Sequence, residues 1–501
     1  MGLERATAPT PYCTKILTYP NFYPKGKGDS LMGKKTKENK YDELFHKAGF
    51  AESFAKGDAA TKLSAIIMGL GCAVRGQLAR GFIFLTFQVL FILYMINSGS
   101  YWLSMLPSLG KVGPTKEYDA FFDTYVPTYN DNSFEILLYG ILTVFLIVAF
   151  ILTWALNIKM SYDAQVKKEQ GKKINRFIDD VHSLVDEGFY KTLLSLPMLG
   201  ITLFTFLPIV FMIFIAFTNY DGKHDGYITN LFTWVGLDNF RTLFSMAGGK
   251  GSYFNVFLSI LGWTVAWAFL ATFSNYFLGI LVAMMINKKG IRFKKLWRTI
   301  LVLTIAIPQF ISLLYVSKMF DKGGIVNGFL MNMGWINTPI DYWGNATYAR
   351  ILVVVINIWI GIPYLMLIAT GILMNIPADL YEASRIDGAN PIQQFRYITM
   401  PYMLFVTAPY LLTSFTGNMN NFNVIYLLSA GNPVNPNASA ADGGVGYTDL
   451  LITWLYKIAL GSESRYYMAS VLGIVIFIIV STITLLVYNR LGSNKNEGDM
   501  A

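Results

Sequence analysis

Eight stretches of the chain stay apolar for 20 residues or more, roughly 79 to 98, 134 to 157, 194 to 218, 255 to 287, 299 to 320, 348 to 375, 398 to 427 and 467 to 489. A helix needs about 20 such residues to cross the hydrocarbon core of a bilayer. The pattern therefore predicts an all-α, polytopic membrane protein with eight transmembrane helices. The stretch 255 to 287 has no turn signal and runs directly into Lys288 and Lys289, so it reads as one long, tilted span rather than two tight passes. Ahead of the first span, Leu63 to Ala79 mixes an apolar patch with Arg75 and Gln77. Such a segment suits an interfacial helix, with an N-terminal extension of the first span as the alternative. Residues 1 to 60 are polar, rich in Lys, Pro and Gly, and lack periodicity; they read as a flexible cytoplasmic tail.

Composition and charge give this pattern an orientation. The chain has 501 residues, 54% hydrophobic and 14% charged, with a net charge of +9. In a soluble protein that charge would suggest nucleic acid; here the basic residues are segregated by loop, and no nucleic acid is expected. An even number of spans places both termini on one side. Leaving out the long N-terminal segment, the loops on that side carry 17 Lys and Arg against 8 on the other, so both termini are expected in the cytoplasm of a plasma-membrane protein. Met1 to Thr61 lacks the short apolar core of a cleavable signal peptide. Cys13 and Cys72 lie in this inner region and suggest neither a disulfide nor a metal site, and His46, His182 and His224 are scattered among polar segments.

Candidate chemistry is sparse. Gly28 to Lys34 nearly spells a phosphate-binding loop, but Lys35 stands where Ser or Thr would bind magnesium and no apolar strand precedes it. No nucleophile elbow, HExxH or paired-carboxylate arrangement is present, so no catalytic residue, metal ligand or resident cofactor is expected. The interiors of the spans contain no Asp or Glu, which weakens a proton-coupled carrier, although sodium coupling through backbone carbonyls stays open.

Uncharged polar residues concentrate in two spans. In the seventh, Ser414, Gly417, Asn418 and Asn421 are spaced three and four apart and so share one helical face; in the sixth, Asn357, Ile360, Gly361 and Tyr364 do the same. Amides pair with sugar hydroxyls and an aromatic ring covers a pyranose face, which suits a neutral polyol. Equally, such groups can bond neighbouring helices to each other. Between these spans, Leu380 to Asp387 suits a short helix, Gly388 a residue of positive φ, and Asn390 with Pro391 the cap and first turn of a second helix.

That loop carries a family resemblance. Glu382, Ala383 and Ser384, then Asp387, Gly388 and Ala389, then Phe395, Ile398 and Pro401, resemble the EAA coupling-loop signature of binding-protein-dependent ABC importer permeases, with Ser384 for the second Ala and Met400 for Leu. The likeness extends over about 194 to 489 and narrows to the MalF-type permeases of maltose and maltodextrin systems, through Phe217 to Asp221, Trp234 to Phe240, Asn357 to Tyr364, Ser414 to Phe422 and Gly446 to Leu451. It implies a type I ABC importer permease core, with sugar contacts at Ile360, Gly361, Tyr364, Ser414, Gly417, Asn418 and Asn421. Gly417 departs, since a relative has an aromatic there, and the 219 to 254 loop is short where some Gram-negative relatives carry a folded domain.

The resemblance further implies ATPase-coupling residues Glu382, Ala383, Ser384, Asp387, Gly388 and Ala389. Its implied partners are a second, MalG-like permease subunit, an ATPase dimer that uses the ATP, an extracellular sugar-binding protein, maltodextrin and the lipid bilayer. The implied organisation is a tail at 1–60, a two-span region with an interfacial helix at 61–193, a six-span core at 194–489 with its coupling loop at 376–397, and a tail at 490–501. The competing class is an ion-coupled sugar carrier acting without an ATPase.

Overall fold

The computed structural model describes residues 49–119, 121, 123–175, 177–186, 188–245, 252–288, 290–438 and 444–489. Of the expected tails, residues 1–48 and 490–501 lie outside these residues, as do the Gly28 to Lys34 segment, Cys13 and His46, whereas the end of the N-terminal tail is helical over Phe50–Lys56 rather than irregular. Among the described residues, seven helices are long and apolar enough to cross a membrane: α1 (Leu78–Met105), α2 (Ser133–Glu169), α4 (Phe189–Ile215), α5 (Tyr253–Asn287), α8 (Ala346–Leu373), α10 (Pro391–Met419) and α13 (Tyr466–Tyr488). Between them lie the shorter α3 (Phe177–Val185), α9 (Ala378–Ile386), α11 (Phe422–Ser429) and α12 (Leu451–Leu460).

The expected fifth span, 299 to 320, is not one rod. It is a pair, α6 (Lys294–Ala306) and α7 (Gln309–Met319), bent by 91°. Pro308 has no N–H to continue the ladder and disfavours helical ψ in the residue before it, and Ile307 accordingly adopts ψ 125°. The expected seventh span, 398 to 427, is also interrupted. Its helix stops at Met419, and Asn420 and Asn421 leave helical geometry before α11 begins. By contrast, 255 to 287 forms a single 35-residue helix capped by the Ser252 side chain.

Contacts group the chain into two compact units, one formed by the described residues up to Ile96 together with Phe145–Leu193, the other by Asn97–Val144 and the chain from Leu194 onward. In the first, Leu63 to Ala79 does not form the expected interfacial helix. Gly69 and Gly76 both sit at φ +85°, so only Leu70–Val74 is helical between them. Arg75, rather than facing water, is buried: its guanidinium reaches Asp58 Oδ1 at 2.5 Å, Ser161 Oγ at 2.9 Å and the Gly71 carbonyl at 2.7 Å. Burial works against ionisation of Asp58, but the Thr61 amide and Arg75 hold its carboxyl below the usual range. Asn157 of α2 completes the network, accepting from Gly69 N at 2.8 Å and donating to the Ser64 carbonyl at 2.9 Å.

The second unit is organised around α5. Trp267, Ala271, Tyr276, Ile280 and Ala283 of that helix are buried, in two clusters shared with α8. Lipid is as apolar as Leu, so close helix contact in a bilayer depends on small residues and packing rather than on escape from water. A Cβ at Gly279 of α5 would lie 2.6 Å from the Leu365 side chain of α8. Outside the spans, a hairpin unforeseen in the hydropathy pattern pairs Thr115–Asp119 with Thr124–Thr128. A second segment between spans is pinned by Asp449, which accepts from Gly446 N at 2.6 Å, Thr453 Oγ1 at 2.9 Å and Lys457 Nζ at 2.7 Å.

Candidate functional site

The sixth-span face forms as the spacing predicts, within the unbroken α8. Ile360 packs on the buried cluster that includes Trp267 and Ile356. Tyr364 is half exposed, and its ring lies 6.4 Å from that of Tyr410 on α10. Gly361 has a different role from open space for a ligand: a Cβ there would overlap the amide of Asn275 on α5. Its lack of a side chain lets α5 and α8 close together.

On α10, Ser414 and Asn418 are half-buried, and Gly417 is exposed with open space where a Cβ would stand. Asn421 is not on the α10 face, because that helix has ended. It instead caps α11, accepting from Val424 N at 3.3 Å. The two amides still meet, Asn421 Nδ2 lying 3.4 Å from Asn418 Oδ1. Helix α5 supplies what the sequence reading missed. Thr272 Oγ1 accepts from Asn418 Nδ2 at 3.0 Å, and Trp267 Nε1 donates to the Asn418 carbonyl at 3.2 Å. Two buried amide atoms in the same region, Asn275 Oδ1 and Asn357 Nδ2, have no hydrogen-bond partner among the described residues. The other unforeseen feature is an aromatic trio beside the break, with Phe422, Tyr426 and Tyr456 at centroid distances of 4.8, 4.9 and 5.2 Å. The spacing of Phe422 and Tyr426, one helical turn apart, was a usable signal; Tyr456 lies too far along the chain for periodicity to connect it.

The 376–397 loop is built from local chemistry. Helix α9 ends at Ile386, Gly388 adopts φ +80°, and the amides of Gly388 and Ala389 return to the carbonyls of Arg385 at 3.1 Å and Ser384 at 2.8 Å. This is a Schellman cap, which favours glycine at the left-handed position. Asn390 and Gln393 then form a reciprocal capping box on the helical turn that Pro391 begins. Ser384 ties the two arms, its hydroxyl donating to the Tyr381 carbonyl at 2.9 Å and accepting from Gln394 Nε2 at 2.9 Å. Glu382, Ala383, Asp387 and Gly388 are exposed, and so are the apolar Ile386 and Ile392.

Residues 275–495 match the family described as binding-protein-dependent transport system inner membrane component. Over 442 residues, 87% of this chain and 96% of the relative, the sequence is 33% identical to the maltodextrin transport system permease protein MdxF of Bacillus subtilis (strain 168). The chain belongs to this permease family. It is also 32% identical over 440 residues to the galactooligosaccharides transport system permease protein GanP of the same organism, covering 87% of this chain and 98% of that one. With the maltose/maltodextrin transport system permease protein MalF of Vibrio vulnificus (strain YJ016) it shares 34% identity over 260 residues, 50% of this chain and 47% of that relative. The permease is therefore a multi-pass membrane subunit of an ABC importer, which sets aside the ion-coupled carrier. Within the permease, the family match covers both the amide and tyrosine positions of α8, α10 and α11 and the capped loop between them.

Proposed function

We propose that the permease forms the translocation path and part of the binding site for neutral oligosaccharides of the maltose and maltodextrin class. The carrying observation is the meeting of Asn418 and Asn421 at a break in the membrane-spanning helices, with the Tyr364–Tyr410 ring pair about two turns earlier along α10. Amides held there match sugar hydroxyls, and half-exposed rings offer a face to a pyranose. Glucans are favoured because the relatives matching most of the chain include two maltodextrin permeases, while a galacto-oligosaccharide permease at nearly the same identity makes galactans the direct competitor.

In this reading Ile360, Tyr364, Ser414, Asn418 and Asn421 contact sugar, Gly361 shapes the wall through Asn275, and Gly417 leaves room for a longer or differently seated chain. The loop 376–397 docks an ATPase subunit through Glu382, Ala383, Ser384, Asp387, Gly388 and Ala389. The six-span core 194–489 and the two-span region 61–193 pair with a MalG-like permease, two ATPase subunits and an extracellular sugar-binding protein. Both termini are cytoplasmic, on the side rich in Lys and Arg. The test is uptake by the reconstituted complex across labelled glucans and galactans of increasing length. Glucan uptake that disappears in Asn418→Ala with Tyr364→Ala, while the complex still assembles, is the expected result. Unchanged uptake in that double variant removes the site assignment, and preference for galactans reassigns the sugar.

A further inference from the structure

The first unit contains a cavity of 600 Å³ that transport leaves unexplained. Its walls come from two segments, Arg75 to Gln77 immediately before α1 and Lys172 to Asp179 soon after α2. The first wall adjoins the start of the apolar helix α1 at Leu78, and the second, which follows the polar last turns of α2, is joined to it by the Gln77–Asn175 hydrogen bond. Lys172 and Lys173 line the cavity with exposed ammonium side chains, the latter 3.3 Å from Asp179 Oδ1. Arg75 closes the other wall, its guanidinium already paired with Asp58.

Gln77 supplies an independent constraint. It is 5% exposed, its Nε2 donates to the Asn175 carbonyl at 2.8 Å, and its buried Oε1 has no partner among the described residues. A buried acceptor is costly until a donor reaches it. The matching ligand therefore carries an anion for the lysines and a hydroxyl or ammonium donor for Gln77. Beside the cavity, α3 exposes Phe177, Ile178, Val181, Leu184 and Val185, which share one helical face by their spacing. A helix with such a face suits the boundary between headgroups and acyl chains.

We propose that this cavity binds the headgroup of an anionic phospholipid, with its phosphate at Lys172 and Lys173, a headgroup hydroxyl donating to Gln77 Oε1, and its acyl chains against the apolar face of α3. A soluble phosphate ester shares the polar chemistry but has nothing to offer that face. The experiment is native mass spectrometry of the purified full-length chain titrated with phosphatidylglycerol, phosphatidylcholine and glycerol 3-phosphate. Phosphatidylglycerol is expected to bind most tightly and to weaken as salt rises. Lys172→Ala with Lys173→Ala should weaken it roughly thirtyfold, and Gln77→Leu roughly tenfold. Both lysines are exposed, so the lysine variant reads the site even if Gln77→Leu perturbs folding. Wild-type affinity in the lysine variant, equal binding of phosphatidylcholine, or equal binding of glycerol 3-phosphate would each overturn the proposal. Lipid binding is read without sugar, so its failure leaves the transport reading untouched.

Discussion

The two candidate regions of the permease core divide their polar groups in opposite ways. In the loop 376–397, backbone and side-chain hydrogen bonds close on each other: Gly388 and Ala389 on the end of α9, Asn390 on Gln393, and Ser384 on Tyr381 and Gln394. Its apolar residues Ile386 and Ile392 are the ones left outward. At the membrane site the apolar residues are packed, and it is the amides of Asn275 and Asn357 that keep unfilled capacity. A self-satisfied loop that leaves Ile386 and Ile392 outward beside Glu382 and Asp387 can move as a rigid body and dock on another protein. An amide with spare capacity inside a bilayer can exchange partners as a neutral ligand passes. On the proposed reading, the contrast separates a lever from a reading head.

The most damaging way to break the lever is Gly388→Val. A β-branched residue at φ +80° carries about 1–3 kcal/mol of local strain and opens the Schellman cap. Transport-coupled ATP hydrolysis should be lost while sugar binding persists, as read by ATPase assays with and without sugar-binding protein; coupled transport at the wild-type rate would contradict the docking role. Next is Gly361→Ala, whose methyl meets Asn275 at a cost of about 1–3 kcal/mol from overpacking. Adding Asn275→Ala should restore thermal stability, and failure of that rescue would show that the glycine serves the sugar rather than the helix contact. Ser384→Ala is the mildest. Losing its links to Tyr381 and Gln394 should cost about 1 kcal/mol, visible as faster amide hydrogen exchange at Gly388 and Ala389 with uptake little changed.

What was legible in the sequence follows the range of each interaction. The loop could be read residue by residue because Gly388, Asn390 and Pro391 act on their own backbone. The number and order of spans followed from hydropathy, but their continuity did not. Pro308 lies inside an apolar window that averages away its effect on Ile307, and the three-and-four spacing from Ser414 to Asn421 masks the weak helical preference of Asn420 and Asn421. Leu63 to Ala79 failed as one helix because Gly69 and Gly76 can take the left-handed conformation that their neighbours avoid. Asn275 was invisible for another reason: its meaning depends on Gly361, 86 positions away in the chain, and the polar residues of α5 form no distinct stripe. Arg75 shows the same limit, since its partners Asp58 and Ser161 come from separate segments.

The interruption at Asn420 and Asn421 has an electrical consequence. A helix end carries roughly half an elementary charge, negative at its C-terminus and positive at its N-terminus. Here the C-terminus of α10 and the N-terminus of α11 are separated by two residues, so the opposing half-charges form a compact dipole whose field fades within a few ångströms. On the proposed reading, a sugar held there meets no net charge from the break, whereas a uronate or a phosphorylated sugar leaves water without a net countercharge from it. Discrimination against ionic cargo can therefore come from the backbone itself.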